Sequence, residues 1–153
     1  MTEYVLKSDD IKSLSETRNV HQFNDKAIRN TKSLGDLVGL TSIGFHLVRV
    51  ESGDETTQHH NHENSDEFIY ILSGKGTLFL DEESREIEAG DFAGFPMGGP
   101  SHSMKNTSKD DLVYLMGGGR PEIDVCNYPN IERRMYIVKG KKEFVDIEHL
   151  EHV

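Results

Sequence analysis

From Thr41 onward the apolar residues come in short runs, at roughly 42–50, 57–62, 67–72, 76–80, 85–88, 91–95, 102–105, 112–117, 135–139 and 143–147. Gly, Asp, Asn and Ser break them every eight to twelve residues or so, a spacing that predicts antiparallel strands in a sandwich or barrel. Ser73-Gly74-Lys75-Gly76 predicts a hairpin turn, because glycine takes positive φ without steric cost. Asp81 to Ser84 and Lys139-Gly140-Lys141 predict two more. An α/β chain needs amphipathic helices between its strands, and no segment here is long enough to supply them. The first forty residues are polar and weakly patterned. Ser13-x-x-Glu16 has the form of a capping box opening a short helix, but little apolar face follows it. The expectation is an all-β chain: one barrel domain over 41–153, with residues 1–40 as an irregular arm packed on it.

Composition narrows the function classes. A chain of 153 residues is the size of one domain and can bury one core. Lysine and arginine number 17 against 27 aspartates and glutamates, a formal charge of −10. Such a surface repels phosphate backbones and anionic lipids, so neither nucleic acid nor membrane is an expected partner. No apolar run reaches the ~18 residues of a membrane span. The start, MTEYVLKSDDIK, lacks the basic and apolar pattern of a secretory signal. Cys126 is the single cysteine, which excludes an intrachain disulfide and fits a reducing cytoplasm, the expected compartment. Nothing beside it in VCNYPN activates a thiolate, so it reads as a small buried hydrophobe.

The chemistry concentrates between Gly53 and Gly74. On a strand His60 and His62 point the same way, placed to share a metal. After a four-residue loop Glu67 shares a face with Ile69 and Ile71, which puts a carboxylate on an apolar, inward side. A carboxylate there is costly unless it is paired or bound to a cation, and a metal resolves the cost. The plain alternative is a solvated histidine-rich turn beside a charged surface. In a second segment the expected strand Asp91 to Phe95 runs into a Pro/Gly turn, and His102 begins the strand after it. Alone, His102 reads as a satisfied polar residue.

Together the two segments resemble the two-part pattern of the cupin superfamily. Its first part runs glycine, five residues, His-x-His, three or four residues, Glu, six residues, Gly. Here His60, His62, Glu67 and Gly74 fit, with the gap from Gly53 one residue longer. Its second part runs Gly, five residues, Pro-x-Gly, two residues, His, three residues, Asn. Gly90, Pro96, Gly98, His102 and Asn106 fit, with one extra residue before His102. Ser33 to Leu40, Asp91 to Pro96, Gly118-Gly-Arg-Pro-Glu122 and Tyr128-Pro-Asn130 are similar to a group of small single-domain bacterial cupins of the conserved-barrel type. The likeness covers roughly residues 30–135 and implies a jelly-roll barrel, a double-stranded β-helix. That group has no settled activity, so the reaction is not implied.

The resemblance makes His60, His62, Glu67 and His102 the ligands of one divalent metal. Three nitrogens and a carboxylate suit Fe, Mn, Ni, Co or Zn and disfavour the oxygen cages of Ca²⁺ and Mg²⁺. An octahedral ion so held keeps two positions open for water, substrate or dioxygen, whereas tetrahedral Zn²⁺ would be closed. His59, of opposite parity, is expected exposed or behind the ligands, and replaces one if the register slips. Phe68, Tyr70 and Leu72 are expected on the outer surface or against a dimer partner. Phe79, Phe92, Phe95, His46 and Met104 are candidates for lining the barrel. Asp66 is expected solvated, and Arg49 and Arg120 could bind an anion or form exposed ion pairs.

Nothing resembles a P-loop, a dinucleotide fingerprint, a Ser-His-Asp set or a CxxC pair. The leading expectation is a metal-dependent dioxygenase, isomerase or lyase acting on a small oxygenated or anionic metabolite. The alternatives are a small-molecule-binding or sensory module without turnover, and a structural barrel. A homodimer is expected, touching through the N-terminal arm and the hairpin over 135–147.

Overall fold

Alternation of apolar and polar residues drives one face of each run inward, and the glycine-bearing turns reverse the chain between them. The computed structural model describes residues 4–153. Its strands are β1 (Thr17–His21), β2 (Asn24–Lys32), β3 (Ile43–Val50), β4 (Asn61–His62), β5 (Glu67–Ser73), β6 (Lys75–Leu80), β7 (Glu83–Glu88), β8 (Phe92–Phe95), β9 (His102–Lys105), β10 (Leu112–Gly119), β11 (Ile123–Tyr128), β12 (Arg133–Val138) and β13 (Lys141–Asp146). Two short helices, α1 (Ser8–Ser13) and α2 (Leu34–Leu37), accompany them.

The strands form antiparallel sheets in the orders β1-β2-β3-β10-β5-β8, β13-β12-β11-β4 and β7-β6-β9. One core cluster joins the six-stranded sheet, through Val48, Ile69, Ile71 and Tyr114, to Leu78 of β6, Ile87 of β7 and Met104 of β9. A second gathers Cys126, Tyr128 and Met135 with Phe23 and Phe144. The turns behave as their residues dictate. Gly74 has φ +80, and a Cβ there would collide with the Asp111 carbonyl. Lys139 and Gly140, at φ 49 and 79, make the two-residue hairpin turn between β12 and β13 with the handedness that matches strand twist.

Some elements depart from the expectation. The first forty residues, whose first three lie outside the described part, are not irregular throughout. They supply α1 and the β1–β2 hairpin, and β2 pairs with β3, so the hairpin extends the large sheet. β1 is exposed along almost its whole length, so its sequence carries no apolar alternation. Ser13 ends α1 rather than opening it, and the Asp10 carboxylate accepts from the Lys7 N–H at the helix start instead. β11 was not among the expected strands. Its inward face is Asp124, Cys126 and Tyr128, all buried, and the polar Asp124 and Asn127 hide the strand pattern. The run 57–62 yields only the short β4, because the chain there changes sheets: His60 bridges to His102, and Asn61 and His62 pair with β11.

Candidate metal centre

Four side chains expected to share a site meet where the three sheets converge. Glu67 opens β5 and points inward with Ile69 and Ile71. His102 opens β9 and exchanges backbone hydrogen bonds with His60, 3.1 Å from the His60 N–H and 2.8 Å from its own. His62 lies opposite Cys126 on β11. All three imidazoles aim Nε2 at the one carboxylate: His102 at 3.0 Å and His60 at 3.4 Å from Oε2, and His62 at 3.5 Å from Oε1.

The far side of each ring explains this orientation. His60 Nδ1 donates to the Gln58 carbonyl at 2.9 Å, and His62 Nδ1 to the buried Asp124 carboxylate at 2.6 Å. His102 Nδ1 faces the Pro100 carbonyl across a longer 3.5 Å. Acceptors without protons fix the N–H on Nδ1 and leave the Nε2 lone pair facing Glu67. Phe95 stacks on His102 with centroids 3.7 Å apart and planes 3° apart, holding that ring in place.

Lone pairs turned on a carboxylate repel unless a positive charge lies between them, either a proton carried on Nε2, which then donates to Glu67, or a cation. Burial lowers the pKa of His60, against the pull of Glu67, and so favours its neutral form. For Glu67 burial acts upward, but the contacts with His102 and His60 outweigh it and hold the carboxyl well below its ordinary range. An ionised carboxylate ringed by imidazole nitrogens is a donor set that a divalent cation fits. The ligating atoms of His60, Glu67 and His102 all lie within 4.8 Å of one another, as do those of His60, His62 and Cys126.

The cluster lies at the floor of a cavity of about 490 Å³. Ile69, Leu78, Phe95, Met104 and Tyr114 form its buried wall. Phe95 and Met104 thus line the barrel as expected. Phe79 and Phe92 do not: they are 36% and 67% exposed, because their parity along β6 and β8 is opposite to that of the core residues. Phe92 stacks on Phe68 on the outer side of the sheet, where Tyr70 and Leu72 are also exposed. His46 borders a smaller cavity and bonds Ser33 Oγ through Nδ1 at 3.0 Å. His59 faces away from the cluster but is buried, its Nδ1 3.0 Å from Ser103 Oγ. Asp66, though exposed, accepts the Met97 N–H. Arg49 and Arg120 are held by carboxylates, Arg49 by Glu16, Glu51 and Asp111 and Arg120 by Asp36. Sequence reasoning missed Asp124 and the place of Cys126 opposite His62, both because β11 went unseen.

Residues 46–118 match the family model described as a cupin domain. Among solved structures, a candidate sugar phosphate isomerase from Acidithiobacillus ferrooxidans is 39% identical, with 98% of this chain and 96% of that one covered and a TM-score of 0.95. A sugar phosphate isomerase from a cupin superfamily, from Silicibacter pomeroyi, is 24% identical over 94% of this chain and 95% of that one, with a TM-score of 0.82. A predicted oxalate decarboxylase from Thermotoga maritima is 23% identical over 76% and 99%, with a TM-score of 0.64. These two share the fold alone. No curated protein is significantly similar to the chain. Likeness to the 39% identical relative over nearly the whole of both chains, with the cupin-domain match spanning the strands that carry the cluster, places the chain in the cupin superfamily.

Proposed function

We propose that the chain is a metal-dependent enzyme acting on a small oxygenated, anionic metabolite, with isomerisation of a sugar phosphate as the reaction class. The metal is held by His60, His62, Glu67 and His102, and is one of Fe, Mn, Ni, Co or Zn. The observation that carries this reading is the convergence of three Nε2 atoms on one buried carboxylate at the floor of a cavity large enough for a metabolite. The isomerase class rests on the relative that is 39% identical.

A bound divalent metal supplies Lewis acidity toward a substrate carbonyl or hydroxyl. The chain's own residues prepare the place for it. Gln58, Asp124 and Pro100 orient the imidazoles, and Phe95 fixes the His102 ring. Ile69, Leu78, Met104 and Phe95 exclude water from one side of the cavity. His21 Nδ1 accepts the Phe23 N–H, so its proton resides on Nε2 as a donor. Burial raises the pKa of Tyr128 and keeps its hydroxyl protonated, a second donor lining the cavity.

A second reading, capture of a small molecule without turnover, is favoured by one observation. Glu67 is the only carboxylate among the described residues lining the cavity, and it is assigned to the metal. Metal analysis of protein purified without chelators, joined to NMR time courses with aldose and ketose phosphates, separates the readings. Near-stoichiometric metal with isomer exchange, both lost in His60→Ala and Glu67→Gln, supports the enzyme. Metal with binding but no exchange supports the module, and a chain that takes up no metal on reconstitution overturns both the ligand set and the enzyme.

We also infer a homodimer that touches through the N-terminal arm and the hairpin over 135–147 and leaves the cavity mouth open; Val138, an exposed apolar side chain of that hairpin, is not part of the cavity lining. A solution mass near 17.3 kDa, that of one chain, overturns it.

A further inference from the structure

We propose that Arg29 and Lys142 form an oxyanion-binding subsite at the mouth of the cavity, receiving the phosphate or carboxylate end of the substrate. The subsite stands on its own geometry; only its role in orienting a substrate toward the metal rests on the reading above.

Burial of the lining residues gives the cavity a direction. Its floor and wall are buried: His60, His102, Ile69, Leu78, Phe95 and Tyr114. Its other lining residues include the exposed Asn19, Val20 and Gln22 of the β1–β2 hairpin and the exposed Lys142 of β13. The mouth is therefore made by β1, β2 and β13, elements of two different sheets. Arg29 stands on β2 opposite Asn19, and Lys142 on β13 opposite Ile137 of β12, which also lines the cavity.

Four of the other arginines, Arg49, Arg85, Arg120 and Arg133, are paired with carboxylates. Arg49, Arg120 and Arg133 each sit within 2.8 Å of one. Among the described residues neither Arg29 nor Lys142 makes such a pair, and the one side-chain contact of Arg29 is Nη1 to Met116 Sδ at 3.5 Å, itself on the cavity lining. Both residues line the same cavity as His21. The His21 ring, at the mouth, is lowered to about 4 by burial first and then by Arg29, His60 and Lys142. Two unpaired cations facing one cavity with a single carboxylate, on a chain of charge −10, make a local positive potential against the sign of the whole molecule. A planar guanidinium suits bidentate contact with an oxyanion, and a flexible ammonium at the rim adds a point charge. The His21 Nε2–H adds a donor to this lining, in which Glu67 is the one carboxylate among the described residues.

The test uses metal-free protein, so that the anion cannot be held by a metal. Inorganic phosphate and acetate are titrated separately, at low salt, into the wild type, Arg29→Gln, Arg29→Lys, Lys142→Gln and His62→Ala. The expected result is saturable binding of at least one anion, weakened roughly tenfold or more by Arg29→Gln and less by Lys142→Gln, and kept in His62→Ala. Preference for phosphate or for acetate identifies which oxyanion the site takes. If Arg29→Gln perturbs the fold, Lys142→Gln on its exposed edge strand and the charge-keeping Arg29→Lys decide the matter. Equal affinities in the wild type, Arg29→Gln and Lys142→Gln overturn the subsite, as does binding of neither anion. Loss of binding in His62→Ala without loss in Arg29→Gln puts the anion on the histidine cluster and overturns it too. Retained phosphate binding in a chain that never takes up metal leaves the subsite standing and removes the metal reading.

Discussion

His62 donates from Nδ1 to the Asp124 carboxylate across 2.6 Å, joining β4 to β11 beneath the histidine cluster. Asp124 is 3% exposed and also accepts from the Asn64 and Val125 N–H groups and from Ser65 Oγ. One buried carboxylate thus fixes the tautomer of His62, the direction of its ring and the loop leading to Glu67.

Asp124→Asn replaces the acceptor at His62 Nδ1 by a group that cannot keep the same contacts on all sides. Loss of such an orienting carboxylate weakens metal binding by about ten- to a hundredfold. Competition with a chelator of known affinity measures it, with circular dichroism showing that the sheets persist. An unchanged metal affinity would remove Asp124 from the account.

Asn106, the last residue of the second cupin segment, is fully buried and far from metal duty. Its Nδ2 donates to the Val50 and Asp110 carbonyls at 2.9 and 2.8 Å, and its Oδ1 accepts from Ser108 N–H and Oγ. Asn106→Ala removes the amide donor at the Val50 and Asp110 carbonyls, the latter still held by Ser108 Oγ, and strands the Ser108 N–H, at a cost of roughly 2–4 kcal/mol. Urea denaturation should show that loss while the metal content of the folded fraction stays at the wild-type value. A variant that is as stable as wild type but metal-free would give Asn106 a direct role in the site.

The strands that sequence reveals are those whose inward faces are apolar throughout. Ile69 and Ile71 announce β5, and Glu67 in register with them announces a buried charge. Gly74 and Gly140 mark turns that need positive φ. The β1–β2 hairpin escapes because its strand at the sheet edge faces solvent, and β11 escapes because its inward face begins with Asp124. The partner of His62 and the position of Cys126 both depend on β11, so they escape with it. Arg29 and Lys142 are 113 positions apart and meet at one cavity only through the sheet order, so no local pattern could have joined them.

Stability of the metal-free protein should fall with acidity in a defined window. Burial leads the causes that lower the pKa values of His21, His46, His59 and His60 below 6.5, that of His21 to about 4. Below about pH 6.5 the unfolded chain then binds more protons than the folded one, so acidification favours unfolding. These contributions are whole above 6.5, and that of His21 drains away between 6.5 and about 4. Glu67, held well below 4.5, keeps its contribution above 4.5 and gives it up only at more acid pH. Urea midpoints at pH 7, 6 and 5 should decline in order, and His21→Gln should flatten the decline. Equal midpoints at pH 7 and 5 would contradict the burial assigned to these rings.

Cys126 poses a choice between two donor sets, since its thiol lies within 4.8 Å of the ligating nitrogens of His60 and His62. Burial pushes that thiol up to about 12, and the Glu67 and Asp124 carboxylates add to the effect. A metal taking Cys126 would have to displace its proton inside an apolar wall beside Tyr128 and Met135. Glu67 is already ionised and already faces all three histidines, so it can serve as the anionic ligand at no such cost. Cobalt(II)-loaded protein should therefore show no thiolate-to-metal charge-transfer absorption. Cys126→Ala should keep its metal within about twofold, while Glu67→Gln weakens binding by at least about tenfold. A charge-transfer band that vanishes in Cys126→Ala would move the metal from the Glu67 side of the cluster to the β11 side, and leave Glu67 free to act as a base.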